Sequence, residues 1–116
     1  MYSQRLLDHF QHPRNLGELL PPAIVVEVSN PICGDILRLS AVFKNDHVTD
    51  ARYQTRGCTA SIACGSALTE LLIGKTCAEI ARLQASDIEA AVDGLPAESK
   101  HAAVLCVDAA RRLTSS

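Results

Sequence analysis

A run of small side chains from Thr59 to Ile73, TASIACGSALTELLI, constrains the fold of this chain most strongly. Its first half is mostly Ala, Ser, Cys and Gly, and its second half is richer in Leu. Small side chains let a neighbouring backbone approach closely. Aromatic residues make up only 3% of the chain and Trp is absent, so aliphatic residues and Ala must fill the core. We therefore predict a helix over Thr59–Ile73 that is pressed tightly against a sheet.

Three runs with strand character precede this helix and predict the sheet itself. They cover Ala23–Ser29, Asp35–Phe43 and Val48–Thr55, and they contain β-branched or alternating apolar residues. Asn, Pro and Gly stand in the first gap between them, and Lys-Asn-Asp stands in the second. Connections this short favour antiparallel pairing of neighbouring strands.

Helix signals stand on both sides of the three strands. Residues 2–11 place most of their apolar side chains on one approximate face. The segments Thr76–Glu79 and Ser86–Glu89 each match a capping box, and Pro96 can open a last helix that runs to about Leu113. The order of one helix, three strands and then helices predicts an α+β fold, a three-stranded antiparallel sheet with helices packed on it.

Composition narrows the function classes. The chain has 116 residues, of which 11 are basic and 13 acidic, and it shows none of the clustered Lys and Arg that non-specific nucleic-acid binding needs. No run approaches the roughly 18–20 apolar residues of a membrane span. The first residues carry acid and histidine where a signal peptide has its apolar core. We expect one cytoplasmic domain over residues 1–116, with neither nucleic acid nor membrane as a partner.

The chain contains five cysteines, an odd number that cannot all pair within one molecule. In a reducing compartment they stay thiols, which are available to hold metal or sulfur. Free cysteines also serve as small buried apolar residues, so each one needs a local reason to be assigned chemistry. The five are Cys33, Cys58, Cys64, Cys77 and Cys106.

Two of these thiols lie in contexts that suit chemistry. Cys33 and Asp35 flank Gly34 in the turn NPICGD, where the backbone can fold so that both side chains address one ion. Cys58 stands at the predicted start of the long helix, where unsatisfied N–H groups and the helix dipole favour a thiolate. His101 adds an imidazole early in the last helix. Thiolate, carboxylate and imidazole are ligands of zinc, iron and iron–sulfur clusters.

The motifs taken together resemble one family. NPICGD, GCTASIACGSALTELLIGK, GLP and KHAAVL, in this order and spacing, are similar to the iron–sulfur cluster assembly scaffolds called IscU or NifU N-terminal domain. The opening HFQHPRNLGEL also resembles the N-terminal segment of that family, so the resemblance covers roughly residues 5–113. It implies a three-stranded antiparallel sheet with packed helices, in agreement with the pattern of the residues.

The resemblance implies a function as an assembly platform and not as a turnover enzyme. Members of the family receive sulfur from a cysteine desulfurase, bind iron, assemble a transient [2Fe–2S] cluster and pass it to recipient apoproteins. Carried over by motif, the metal ligands are Cys33, Asp35, Cys58 and His101, with Cys58 or Cys33 as the sulfur acceptor. Zinc can occupy the same ligands in the purified protein, and a monomer or weak dimer is expected.

One departure from the family pattern concerns the ligands. The third cysteine of the family directly follows the histidine, and Ala102 stands there in this chain. Cys106 lies about 6 Å further along a regular helix, too far to replace that ligand, and Cys64 lies about 9 Å beyond Cys58. We therefore predict that Cys64 and Cys106 are core thiols and that Cys77 has no part in the site.

A second departure concerns a partner. The Hsp70-type chaperone of this family recognises a Leu-Pro-Pro-Val-Lys segment just before the histidine. This chain has Leu-Pro-Ala-Glu-Ser-Lys over residues 95–100. The Leu-Pro start remains but Val-Lys is replaced, which argues against cluster transfer through that chaperone.

Two other functions stay open on the sequence. The first is a zinc-binding sulfur acceptor that stimulates a cysteine desulfurase, as in one branch of the family. That branch typically keeps the third cysteine and carries an insertion before the last helices, and this chain shows neither. The second is a divergent interaction module that has lost cluster assembly. Ala102 and the changed chaperone segment favour it, whereas the joint presence of Cys33, Asp35, Cys58 and His101 argues against it.

Overall fold

The elements follow the predicted order along the chain. The computed structural model describes residues 1–31 and 34–115, so Ile32, Cys33 and Ser116 lie outside the described residues. The helices and strands are α1 (Gln4–Gln11), β1 (Ile24–Ser29), β2 (Ile36–Lys44), β3 (His47–Arg56), α2 (Thr59–Leu72), α3 (Cys77–Ala81), α4 (Ala85–Ala91), a 3₁₀ turn (Ala97–Ser99) and α5 (His101–Thr114).

The three strands form one antiparallel sheet in the order β1-β2-β3. Val28 pairs with Leu37, and Leu39 pairs with Tyr53. These four side chains are buried, because alternate residues of each strand face the helices and the core. The predicted α+β class, a three-stranded antiparallel sheet with helices packed on it, is confirmed, and the strand bounds lie within one residue of the prediction.

Helix α2 packs on β3 as closely as its small residues predict. Ten of its 14 residues are buried. A Cβ on Gly65 would lie 2.5 Å from Cδ2 of the Tyr53 ring, so only glycine fits there. The Tyr53 hydroxyl donates to the carbonyl of Ile62 at 2.8 Å, and burial raises the pKa of Tyr53 to about 12. This contact fixes α2 against the sheet, and with it Cys58 at the start of the helix.

The free edge of β3 is covered at both ends by non-strand backbone. Tyr53 donates its N–H to Asn15 and accepts the N–H of Gly17, at 3.0 and 2.8 Å. Near the other end, Val48 donates to the Lys75 carbonyl at 3.0 Å and accepts the Gly74 N–H at 2.8 Å. These bonds satisfy backbone groups that an edge strand would otherwise leave open.

One predicted capping box is confirmed and the other is wrong. Thr76 caps α3 and exchanges hydrogen bonds with Glu79, as its sequence predicts. Helix α4, however, is capped by Gln84, two residues before the predicted Ser86. The reason is the carboxylate of Asp87, which accepts the backbone N–H of Gln84 at 2.9 Å. This hydrogen bond places the start of the helix nearer the N-terminus than predicted.

The last helix begins later than predicted. Pro96 has an extended backbone with ψ of 152°, and a 3₁₀ turn over Ala97–Ser99 follows it. The α-helix starts at His101 and continues to Thr114, so His101 lies in its first turn. None of the helices in the described part of the chain is long and apolar enough to cross a membrane.

The remaining cysteines divide into two buried thiols and one at a helix start. Cys64 and Cys106 lie in the hydrophobic core with 0% and 1% of their surface exposed. Burial raises the pKa of Cys64 to about 12 and raises the pKa of Cys106 well above its ordinary range. Cys77 is half-buried at the first residue of α3. Burial in the core agrees with the prediction that Cys64 and Cys106 are packing residues.

Candidate metal site

Three of the predicted ligands meet at one end of the sheet, although they come from separate elements. Asp35 directly precedes β2, Cys58 is the N-cap of α2, and His101 opens α5. The Cys58 Sγ lies 3.6 Å from Asp35 Oδ2 and 3.8 Å from His101 Nε2. The distance between His101 Nε2 and Asp35 Oδ2 is 3.3 Å. Residues that are 66 positions apart in the chain therefore present their ligand atoms to one point.

Two glycines let Asp35 reach this point. Gly34 has a φ of +76°, in the left-handed region, and it donates its N–H to the Asn30 carbonyl at 2.7 Å. Gly57 precedes Cys58 and faces the carboxylate, because a Cβ at Gly57 would lie 2.7 Å from Asp35 Cγ. The Asp35 side chain therefore occupies the space that any other residue at position 57 would fill.

The distances among the three ligand atoms fit a single tetrahedral ion. Zinc binds sulfur at about 2.3 Å and nitrogen or oxygen at about 2.0–2.1 Å, which at tetrahedral angles separates S from O by roughly 3.5 Å, S from N by roughly 3.6 Å, and N from O by roughly 3.3 Å. The observed separations are 3.6, 3.8 and 3.3 Å. Asp35 is buried, but Cys58 and His101 are only half-buried, which leaves one side open to a further ligand. The residues present thus fit a zinc or iron ion.

Asp35 is held in its ionised form despite its burial. Only 5% of its surface is exposed, and this burial by itself raises the pKa of the carboxyl. Hydrogen bonds from Ser61 and Cys58, together with the nearby His101, outweigh burial and leave the pKa of Asp35 below its ordinary value. The carboxylate is therefore available as an oxygen ligand at neutral pH.

Ser61 belongs to this group but is not among the residues that the motifs predict. Its hydroxyl donates to Asp35 Oδ2 and lies 3.4 Å from Cys58 Sγ. Ser61 stands three residues after Cys58, in the first turn of α2, and residues at this spacing face the same side of a helix. The spacing of three residues from Cys58 was the only sign of this role in the sequence. A serine among many small residues is equally well explained as a residue that packs against the sheet.

The other candidates of the ligand set have different positions. Cys33 lies outside the described residues, so its role as ligand and sulfur acceptor stays a prediction. Ala102, at the position where the resemblance implies a third cysteine, is completely buried next to His101. Among the described residues, Cys64 and Cys106 do not join the cluster of candidate ligands.

Comparison with known sequences points to one family. The family described as NifU-like N terminal domain matches residues 1–115 of this chain. The iron–sulfur cluster assembly scaffold protein IscU 1 of Archaeoglobus fulgidus is 39% identical over 112 residues, which cover 97% of this chain and 73% of that protein. The zinc-dependent sulfurtransferase SufU of Bacillus subtilis is 41% identical over 75 residues, covering 65% of this chain and 50% of SufU.

A solved structure shows the same fold. The N-terminal part of a nitrogen-fixing NifU-like protein from Brucella abortus superimposes with a TM-score of 0.65 and 22% identity. The match covers 95% of this chain and 77% of that one. With the family match over nearly its whole length, this chain belongs to the family of NifU-like N-terminal domains.

Proposed function

We propose that this protein is a scaffold for iron–sulfur cluster assembly. It accepts sulfur from a cysteine desulfurase, binds iron, and passes a [2Fe–2S] cluster to recipient apoproteins, so the cluster is cargo that leaves. The observation that carries the proposal is the convergence of Asp35, Cys58 and His101 within 3.8 Å of one another. The scaffold name of the relative from Archaeoglobus fulgidus supports it.

Cys58 is the proposed sulfur acceptor among the described residues, and Cys33 is proposed to share this role. Cys58 is half-buried at the start of α2, so a donor can reach its Sγ. Its thiolate attacks the outer sulfur of the desulfurase persulfide. A new S–S bond forms on Cys58, the S–S bond of the donor breaks, and the donor cysteine leaves as a thiolate. No external oxidant is required.

The other two residues are proposed as ligands with different properties. Asp35 offers a hard oxygen ligand that exchanges readily, which suits cargo that must be released. His101 offers its Nε2, the atom that faces Cys58 and Asp35. Cys33 is proposed as a fourth ligand.

We propose further that the protein works in the cytoplasm as one domain, residues 1–116, and as a monomer or weak dimer without the Hsp70-type chaperone.

Anaerobic reconstitution tests the scaffold. The parent protein is incubated with iron, a desulfurase and cysteine, and absorption spectra are recorded with counts of iron and acid-labile sulfide. We expect a labile [2Fe–2S] spectrum in the parent, its loss in Cys58→Ser, and longer persistence in Ala102→Cys. Cys77→Ser is the matched control, because Cys77 is half-buried as Cys58 is but lies outside the ligand cluster. Unchanged cluster content in Cys58→Ser contradicts the proposal.

A zinc-binding sulfur acceptor is the second candidate function. It is favoured by the separations among the three ligand atoms, which fit one tetrahedral ion, and by the name of the SufU relative. Metal analysis after anaerobic purification separates the two functions. Zinc without sulfide, together with faster desulfurase turnover on adding the zinc-loaded protein, supports the acceptor. Iron with stoichiometric sulfide supports the scaffold. An interaction module that has lost assembly would show neither metal nor stimulation.

A further inference from the structure

We infer that Ser61 is a positioning residue of the proposed metal site, which holds the Asp35 carboxylate in place beside Cys58. This inference rests on the proposed function, because it takes Asp35, Cys58 and His101 as the ligands. Ser61 itself is not proposed to bind the metal. Its hydroxyl acts through Asp35, to which it donates a hydrogen bond.

The burial of both partners makes this hydrogen bond significant. Ser61 and Asp35 have only 3% and 5% of their surfaces exposed, so water has little access to either group. A buried carboxylate that loses a hydrogen-bond donor keeps the cost of its desolvation without compensation. The Ser61 hydroxyl sits on α2, a helix that is fixed to the sheet by the contact between Gly65 and Tyr53. It therefore provides a rigid anchor for a side chain that leaves a loop.

Among the described side chains that contact the carboxylate, Ser61 is also the one that metal binding leaves free to donate. The polar side-chain contacts of Asp35 on described residues are with Ser61, Cys58 and His101. Cys58 would bind a metal as a thiolate, which has no proton to donate to Asp35. His101 would present the lone pair of its Nε2 to such an ion. Of these three described residues, only Ser61 would keep its donor, as the groups that orient ligating carboxylates do.

The contact with Asp35 sets the hydrogen-bond direction of Ser61. A hydroxyl has one proton, and in this geometry Ser61 donates it to Asp35 Oδ2. The Ser61 Oγ therefore offers only lone pairs to the Cys58 thiol, 3.4 Å away. The Ser61 hydroxyl is therefore committed to the carboxylate, and its role in the site runs through Asp35.

Zinc affinity in Ser61→Ala tests the inference. Competition against a chromophoric chelator gives the dissociation constant, and we expect zinc to bind about 10-fold more weakly than to the parent. In the cobalt(II)-loaded variant, the thiolate charge-transfer absorption should persist while the tetrahedral ligand-field bands weaken, because the carboxylate has lost its orientation. A variant with the affinity and cobalt spectrum of the parent would overturn the inference.

Ser66→Ala is the matched control for removing a buried hydroxyl from α2. Ser66 is on the same helix and fully buried, but its hydroxyl contacts His9 and the Arg14 backbone. We expect Ser66→Ala to lower the melting temperature and to leave zinc affinity unchanged. Equal losses of zinc affinity in the two serine variants would mean that Ser61 acts through general stability, and the inference would fail.

A double-mutant cycle separates action through Asp35 from action through Cys58. In an Asp35→Ala background the Ser61→Ala change should cost little further affinity, because its partner is already gone. A full 10-fold loss in that background would overturn the inference, since Ser61 would then act on the thiolate directly. Failure of the parent itself to bind zinc or cobalt would instead reject the proposed metal site. The two failures are therefore distinguishable.

Discussion

At the scale of the residue, the absence of a Cβ at Gly57 leaves room for the Asp35 carboxylate in the site. A Cβ on Gly57 would lie 2.7, 2.8 and 3.0 Å from the Cγ, Oδ1 and Oδ2 atoms of Asp35. The φ of Gly57 is not in the left-handed region, so its backbone accepts a larger residue without strain. Glycine is required there by the approach of Asp35 and not by the conformation of the chain.

Gly57→Ala should therefore damage the site more than the fold. We expect the added methyl to displace the Asp35 carboxylate and to weaken zinc binding by about 10-fold or more. Stability should change by less than about 1 kcal/mol, because the lower chain entropy of alanine in the unfolded state compensates in part. Chelator competition and thermal unfolding of the metal-free protein measure the two effects. A large fall in stability with intact zinc affinity would contradict this prediction.

A single sequence shows which residues lie in distinctive motifs, but it does not show which neighbours a common residue contacts in the fold. Asp35, Cys58 and His101 could be named as candidate ligands from the sequence because each stands within a distinctive motif. Ser61 was not predictable, because one hydroxyl in a run of small residues gives no sign of which neighbour it faces. The start of α4 was also missed, since Gln84 is a weaker capping residue than Ser86 by type. Only the carboxylate of Asp87 decides between them.

At the scale of the element, helix α1 is attached to α2 through a buried polar contact. His9 Nδ1 lies 2.8 Å from the Ser66 Oγ, which also accepts the Arg14 backbone N–H at 2.9 Å. In the neutral ring with its proton on Nε2, the Ser66 hydroxyl donates to His9 Nδ1 and the Nε2–H faces Glu70 Oε1 at 3.6 Å. This arrangement needs a neutral imidazole.

Acid should loosen this attachment. Burial lowers the pKa of His9, Arg14 and Arg5 lower it further, and Glu70 and Asp8 act in the opposite direction. Because the pKa of His9 in the folded protein lies below its ordinary value of 6.5, the contribution of His9 to stability is complete above about pH 6.5 and is lost as pH falls through the folded pKa. The slope from one such proton is at most about 1.4 kcal/mol per pH unit.

Urea unfolding between pH 7 and pH 5 checks the prediction for His9. We expect the free energy of unfolding of the parent to decrease over this range, and that of His9→Gln to change less. The variant will start from a lower stability, so the slopes are compared and not the absolute values. Parallel slopes in the two proteins would show that His9 is not the group responsible.

At the scale of the whole molecule, a bound ion would connect the three parts of the domain. Asp35 directly precedes β2 of the sheet, Cys58 is the N-cap of α2 and His101 is the first residue of α5. Unfolding separates these residues, so an ion that binds only the assembled site stabilises the entire fold. The three-part origin of the ligands was predictable from the order of the motifs, but their separations of less than 4 Å needed the tertiary structure.

Zinc should therefore raise the melting temperature. At a free concentration of 100 times the dissociation constant, the gain is about 2.7 kcal/mol, which corresponds to about 10 °C for a domain of this size. Calorimetry with and without zinc measures it. Cys58→Ser should lose the shift and Cys77→Ser should keep it. A shift that survives in Cys58→Ser would indicate that zinc stabilises the protein somewhere else.

The covered edge of β3 determines at which edge the sheet can be extended by a further strand. Backbone from residues 15–17 and 74–75 occupies hydrogen-bonding positions along that edge, so a further strand cannot join there without displacing it. Within the described part of the chain, β1 pairs with β2 on one side and forms the opposite edge. A fusion or inserted hairpin that lengthens this sheet would have to add beside β1. An engineer who wishes to extend the protein should build from Ile24–Ser29.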